Sequence, residues 1–73
     1  MCLAFPGRIE WIGKASTSSI PGIVSYGEQT RDVDLVMVPD ARVEDHVIIH
    51  SGYAIRIVGA EEVARIFDIV HLP

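Results

Sequence analysis

Apolar and polar positions alternate with a period near two through the first four-fifths of the chain, the pattern of half-buried strands. Leu3 to Ile12 reads as a first strand after an irregular start, bent by Pro6 and Gly7, with Ile9 and Trp11 alternating with Glu10 and Ile12. Lys14 to Ser19 is small and polar and reads as a loop. Ile20-Pro21 enters a second strand carrying Ile23, Val24 and Tyr26, and Gly27-Glu28 has the composition of a hairpin turn. The alternation predicts a third strand over Gln29–Val38, with Val33, Leu35 and Met37 on one face, Asp32 and Asp34 on the other, and Pro39-Asp40 as its stop. His46-Val47-Ile48-Ile49-His50 is β-branched enough for a fourth strand. Ser51-Gly52 turns the chain into a fifth, Tyr53–Val58, which Gly59 breaks. From Ala60 to Val70 the period changes: Val63, Ile66, Phe67 and Val70 fall on one helical face, and Glu61 and Glu62 sit in the first turn, where the helix dipole favours negative charge.

Five short strands followed by one helix predict a mainly β fold, a small OB-like or SH3-like barrel over about residues 3–58, with the C-terminal helix, about 60–70, covering one open end or side. Seventy-three residues make a single domain, 1–73, without linker or internal repeat. Aromatic residues are only 7% of the chain, so the core must be Val, Ile and Leu. A barrel this small has little room for a deep pocket with a full catalytic constellation, which favours a binding or carrier role over a self-sufficient enzyme.

Charge narrows the partners. The net charge is -4, and the six Lys and Arg are scattered without a run. The basic footprint of a nucleic-acid binder and the polybasic segment that adheres to anionic membranes are both missing from the sequence. A lone cysteine forms no intrachain disulfide, no CxxC pair is present for zinc, and no apolar stretch approaches the length of a membrane span. The expected compartment is the cytoplasm.

Few residues could carry chemistry. Cys2 stands at the chain terminus, where burial is uncommon, so its thiol is expected to be accessible. If Met1 is removed, the protonated α-amine next to the sulfur favours the thiolate, a soft-metal ligand. One thiolate is too few for a stable site, so a metal there needs ligands from a partner or from non-protein groups. His50, at the end of the fourth strand, suits metal ligation or proton transfer, but a single histidine also reads as a rim residue. His46 and His50 do not form a chelating pair: that spacing works on a helix, whereas on a strand the two residues lie about 13 Å apart. His71 reads as solvated, and so do Asp32 and Asp34; Asp40 and Asp45 form no recognisable acid–base pair. Two alternatives in other classes stay open, an OB-type nucleic-acid binder and a thiol enzyme with Cys2 as nucleophile and His50 as base.

Two segments together carry a resemblance. The chain starts Met1-Cys2-Leu3-Ala4-Phe5-Pro6-Gly7-Arg8-Ile9. Later come Val38-Pro39-Asp40-Ala41-Arg42-Val43 and Val47-Ile48-Ile49-His50-Ser51-Gly52-Tyr53-Ala54-Ile55. They closely resemble the HypC/HybG/HupF family of [NiFe]-hydrogenase maturation chaperones, over nearly the whole chain. The resemblance implies an OB-like barrel with a C-terminal helix and a non-enzymatic role in metallocentre assembly. It implies two protein partners, a HypD-like iron–sulfur maturation protein and the precursor of the hydrogenase large subunit. With the first, such a chaperone scaffolds an iron that acquires cyanide and carbon monoxide, the Fe(CN)2CO fragment; to the second it delivers that iron. The iron is transient and partner-dependent, and none is expected in the isolated chain. The resemblance places iron and partner contact on Cys2, a supporting role on His50, and partner contact also on Pro6 and Gly7. Three departures stand out: a longer, more polar Lys14–Pro21 region, Glu44 where glycine is common, and His46 where an aromatic residue is common.

Overall fold

A computed structural model of the chain describes the backbone of residues 5–71 and the side chains of residues 5–66. Five strands, β1 (Gly7–Ile12), β2 (Pro21–Tyr26), β3 (Gln29–Asp34), β4 (His46–His50) and β5 (Tyr53–Val58), precede one helix, α1 (Ala60–His71). They close into a barrel in the order β1-β2-β3-β5-β4, so the mainly β, OB-like expectation holds. Both two-residue hairpins fall where turn chemistry places them. Gly27 supplies the positive φ (61°) that starts the β2–β3 turn, and Ser51 and Gly52, at φ 53° and 84°, form a type I′ turn between β4 and β5. The barrel interior is Ile9, Val24, Val33, Leu35, Val38, Val47 and Ala54, the aliphatic core that the composition requires.

Closure comes from β1 against β4. Gly7 pairs with Val47 and Arg8 with His46, and the seam runs on past β4 through Ile9, whose N–H donates to the Asp45 carbonyl (2.8 Å) and whose carbonyl accepts from the Glu44 N–H (2.8 Å). Between Ile9 and Trp11 the pairing of β1 with β2 shifts at Glu10. This irregularity lets the Glu10 carboxylate accept hydrogen bonds from Ser25 Oγ (2.7 Å) and Arg8 Nη1 (3.3 Å).

Two expectations change. The third strand stops at Asp34, not Val38. Asp34 Oδ1 accepts the N–H of Val36 and the N–H of Ile20, each at 3.0 Å, which bends the chain out of the ladder. Leu35–Val38 then closes as a turn, with the Val38 N–H donating to the Leu35 carbonyl (2.9 Å), so Leu35 and Val38 are buried and Met37 is 61% exposed. Asp34 is therefore not simply solvated: the Ile20 N–H above all holds its carboxyl below the usual aspartate range, against the opposing effect of desolvation and with smaller help from the Val36 N–H and the Ser19 hydroxyl. Asp32 is exposed as expected.

The helix expected over about residues 60–70 is present as α1, and none of its described side chains joins the barrel core. Its first turn is tied to the outer side of β5 by a two-pronged pair from Arg56 Nη1 and Nη2 to the Glu62 carboxylate (2.9 and 2.7 Å), which lowers the pKa of Glu62 and raises that of Arg56. Near this root Ile48 and Val58 are buried although strand alternation turns them away from the core residue Val47, and Val63 and Ile66 are half-buried. Phe67 and Val70, the rest of the predicted apolar face, lie outside the described side chains.

Candidate functional site

A groove of about 960 Å³ opens on the barrel where the start of β1, the β2–β3 turn and the β4–β5 turn come together. Phe5 and Pro6 form one wall, Tyr26 and Gly27 another, and Ile49, Ser51 and Gly52 a third. Tyr26 is seated by Gly7: a Cβ on that glycine would lie 3.0 Å from the ring Cζ and 3.2 Å from the hydroxyl. Desolvation pushes the Tyr26 phenol above its ordinary pKa, and the Arg31 guanidinium partly offsets the rise.

The groove carries basic side chains although the protein is acidic. Among the described residues its lining includes Arg8, Arg31 and His46 and no carboxylate. Arg8 is shared with Glu10 (3.3 Å) and Glu44 (3.4 Å) just outside, whereas Arg31 makes no ion pair among the described residues. These three residues lie far apart in sequence and converge only because the barrel closes. The scatter of basic residues gave no hint of the groove, and the one available signal was His46 in place of an aromatic residue.

The predicted site residues separate into groups. Cys2 lies outside the described residues, three positions before Phe5. Pro6 is buried and lines the groove, and Gly7 is buried beneath Tyr26. His50 is exposed at the last position of β4, opposite Tyr53, and does not line the groove, while His46 does. The two histidines stand at opposite ends of a five-residue strand, so the chelating pair is ruled out by geometry. Among the described residues no three His, Cys, Asp or Glu side chains come together in a way that could hold a metal ion, and none of the buried side chains is polar or charged. No described helix is long and apolar enough to cross a membrane.

A closed five-stranded barrel with an open groove between its turns, and no buried polar side chain among the described residues, has the build of a binding module. The chain belongs to the HupF/HypC family, whose model matches residues 1–70. It is 39% identical over 62 residues to a protein named hydrogenase maturation factor HypC from Synechocystis, covering 84% of this chain and 82% of that protein. A second protein of that name, from Cupriavidus necator, is 35% identical over 65 residues, covering 89% of this chain and 68% of the relative. A Proteus vulgaris protein named Frd operon uncharacterized protein C is 32% identical over 66 residues, covering 85% of this chain and 67% of its own length.

Proposed function

We propose that this chain is a hydrogenase maturation chaperone that works with a HypD-like iron–sulfur protein to scaffold the Fe(CN)2CO fragment, and then hands the iron to the large-subunit precursor of a [NiFe] hydrogenase. The observation that carries this reading is the family match over residues 1–70, which takes in both the Met1-to-Ile9 signature and the His50 segment. In this reading the iron is cargo. The Cys2 thiolate supplies one soft ligand and the partner and the diatomic groups supply the others, because one thiolate alone does not retain the metal. His50, exposed at the strand end, supports transfer from the rim. Phe5 and Pro6 line the groove and Gly7 seats Tyr26 beside it, so this part of the signature offers the partner a contact surface.

The test is genetic and analytical together. Cys2→Ala is expected to keep the barrel's circular dichroism and melting temperature while hydrogenase maturation is lost, and iron is expected in the complex with the HypD-like protein rather than in the purified chain. Normal maturation by Cys2→Ala would remove the iron-carrier role from this residue. His50→Ala is expected to change stability by no more than about 0.5 kcal/mol, as surface substitutions do, while lowering maturation. A loss of several times that size with maturation intact would make His50 a structural residue.

A further inference from the structure

Strand β3 is paired along its full length on one edge and almost unpaired on the other. On one side all six residues, Gln29 to Asp34, meet β2. On the other, only Asp34 meets β5, opposite Tyr53. The hairpin fixes which backbone groups face outward. A two-residue turn makes Tyr26 and Gln29 a hydrogen-bonded pair, and antiparallel alternation then makes Val24–Arg31 and Gly22–Val33 hydrogen-bonded pairs too. The N–H and C=O groups of Thr30, Asp32 and Asp34 therefore point away from β2. Asp34 bears out this parity, since its N–H donates to the Gly52 carbonyl at 2.9 Å. Thr30 and Asp32 have no such backbone partner among the described residues. Beside this edge runs the groove, to which β3 contributes Gln29 and Arg31.

An exposed edge of this kind is a template for strand addition, and its side chains decide what is added. Arg31 points to the groove side and carries a charge that no described ion pair neutralises, while Asp32 points to the opposite face. We propose that the Thr30–Asp32 edge docks an extended segment of the HypD-like partner as an added strand. That segment carries a carboxylate at the position facing Arg31 and no acidic side chain at the neighbouring position facing Asp32. The assignment to this partner rests on the function proposed above: Phe5 and Pro6, which line the groove, follow Cys2 by three and four positions in the chain, and at Cys2 that partner would share the iron. Charge complementarity supplies orientation and rate, and the main-chain hydrogen bonds supply the strand register.

Amide hydrogen exchange of the ¹⁵N-labelled chain, alone and with the HypD-like protein, tests the inference. In the free chain the Thr30 and Asp32 amides are expected to exchange fast and the Arg31 amide, bonded to β2, slowly. In the complex Thr30 and Asp32 are expected to slow by about 100-fold or more. Arg31→Gln is expected to weaken the complex and Arg31→Glu to weaken it further, by about tenfold or more at low salt and less at high salt. If the complex forms while Thr30 and Asp32 exchange as before, the docking edge is wrong and the proposed function stands. Slow exchange of both amides in the free chain would show that the chain's own residues fill the edge, which also overturns the inference. If the two proteins do not associate at all, the proposed partnership and this inference fall together.

Discussion

Gly7 and Gly22 form a matched pair of sites at which the same added methyl group should have different consequences. A Cβ on Gly22 would meet Leu35 Cδ1 at 2.6 Å, Leu35 Cγ at 3.1 Å and the Trp11 carbonyl oxygen at 3.3 Å. Leu35 is 1% exposed and packed into the barrel core, so it has nowhere to retreat. Overpacking of this kind costs about 1–3 kcal/mol, and the lower chain entropy of alanine in the unfolded state returns about 0.4–1 kcal/mol. Gly22→Ala is thus expected to lose about 1–2 kcal/mol, which lowers the melting temperature of a domain this size by about 5–15 °C. The nearest atoms to a Cβ on Gly7 are outer ring atoms of Tyr26, the closest at 3.0 Å, and that ring borders an open groove into which it can swing. Gly7→Ala is expected to stay within about 0.5 kcal/mol of the parent, since the entropic gain offsets a shift of a few tenths of an ångström. Its cost appears in function, because the displaced ring narrows the groove. Urea unfolding followed by the fluorescence of the single tryptophan, Trp11, measures both variants, and a pull-down with the HypD-like protein measures the second. Equal destabilisation by the two substitutions would refute the reasoning: it would mean that Tyr26 is held as rigidly as Leu35.

Two further outcomes follow from the turns. The Asp34 carboxyl is held below its unfolded value by the Ile20 N–H above all, so its contribution to stability is fully present above about pH 4 and is lost as pH falls through the folded value. Asp34→Ala should therefore unfold more easily than the parent near neutral pH, with a gap that closes on acidification in a urea series; a gap independent of pH would place the effect elsewhere. Ser51 holds a left-handed φ of 53° that asparagine tolerates better, so Ser51→Asn is expected to add about 0.5 kcal/mol and raise the melting temperature by about 2–4 °C, and an unchanged or lower midpoint by calorimetry contradicts this.

What the sequence made legible was local. Strands β4 and β5 have the boundaries that a β-branched run and a Ser-Gly turn dictate, and the Gly27-Glu28 turn sits where its composition puts it. The end of β3 was not legible, because alternation continues on paper through Met37, while the group that stops the strand accepts a hydrogen bond from the N–H of Ile20, fourteen residues earlier. The position of the helix was hidden for a related reason: Val63 and Ile66 show an apolar face but not what it lies against, and the Arg56–Glu62 pair that anchors its root to β5 reads in sequence as two ordinary surface charges. The groove was least visible of all. Arg8, Arg31 and His46 belong to three different strands, and only closure of β1 on β4 gathers them on one lining.

Glu44 shows what that closure contributes to the chemistry proposed at Cys2. Its φ of 80° lies in the left-handed region that favours glycine, where a side chain carries a steric cost of about 1–2 kcal/mol. Two contacts hold it there: its N–H donates to the Ile9 carbonyl at 2.8 Å, and its carboxylate lies 3.4 Å from Arg8 Nη2. The Ile9 N–H is bound in turn to the Asp45 carbonyl. Residues 8 and 9 are thus fastened on both the backbone and the side-chain level, immediately after the Pro6-Gly7 bend. In the function proposed above, the N-terminal segment can present its ligand reproducibly only if its root is fixed. The β1–β4 seam supplies the fixed root, Gly7 lets Tyr26 close against the strand without a Cβ in the way, and the six residues ahead of it carry the thiol.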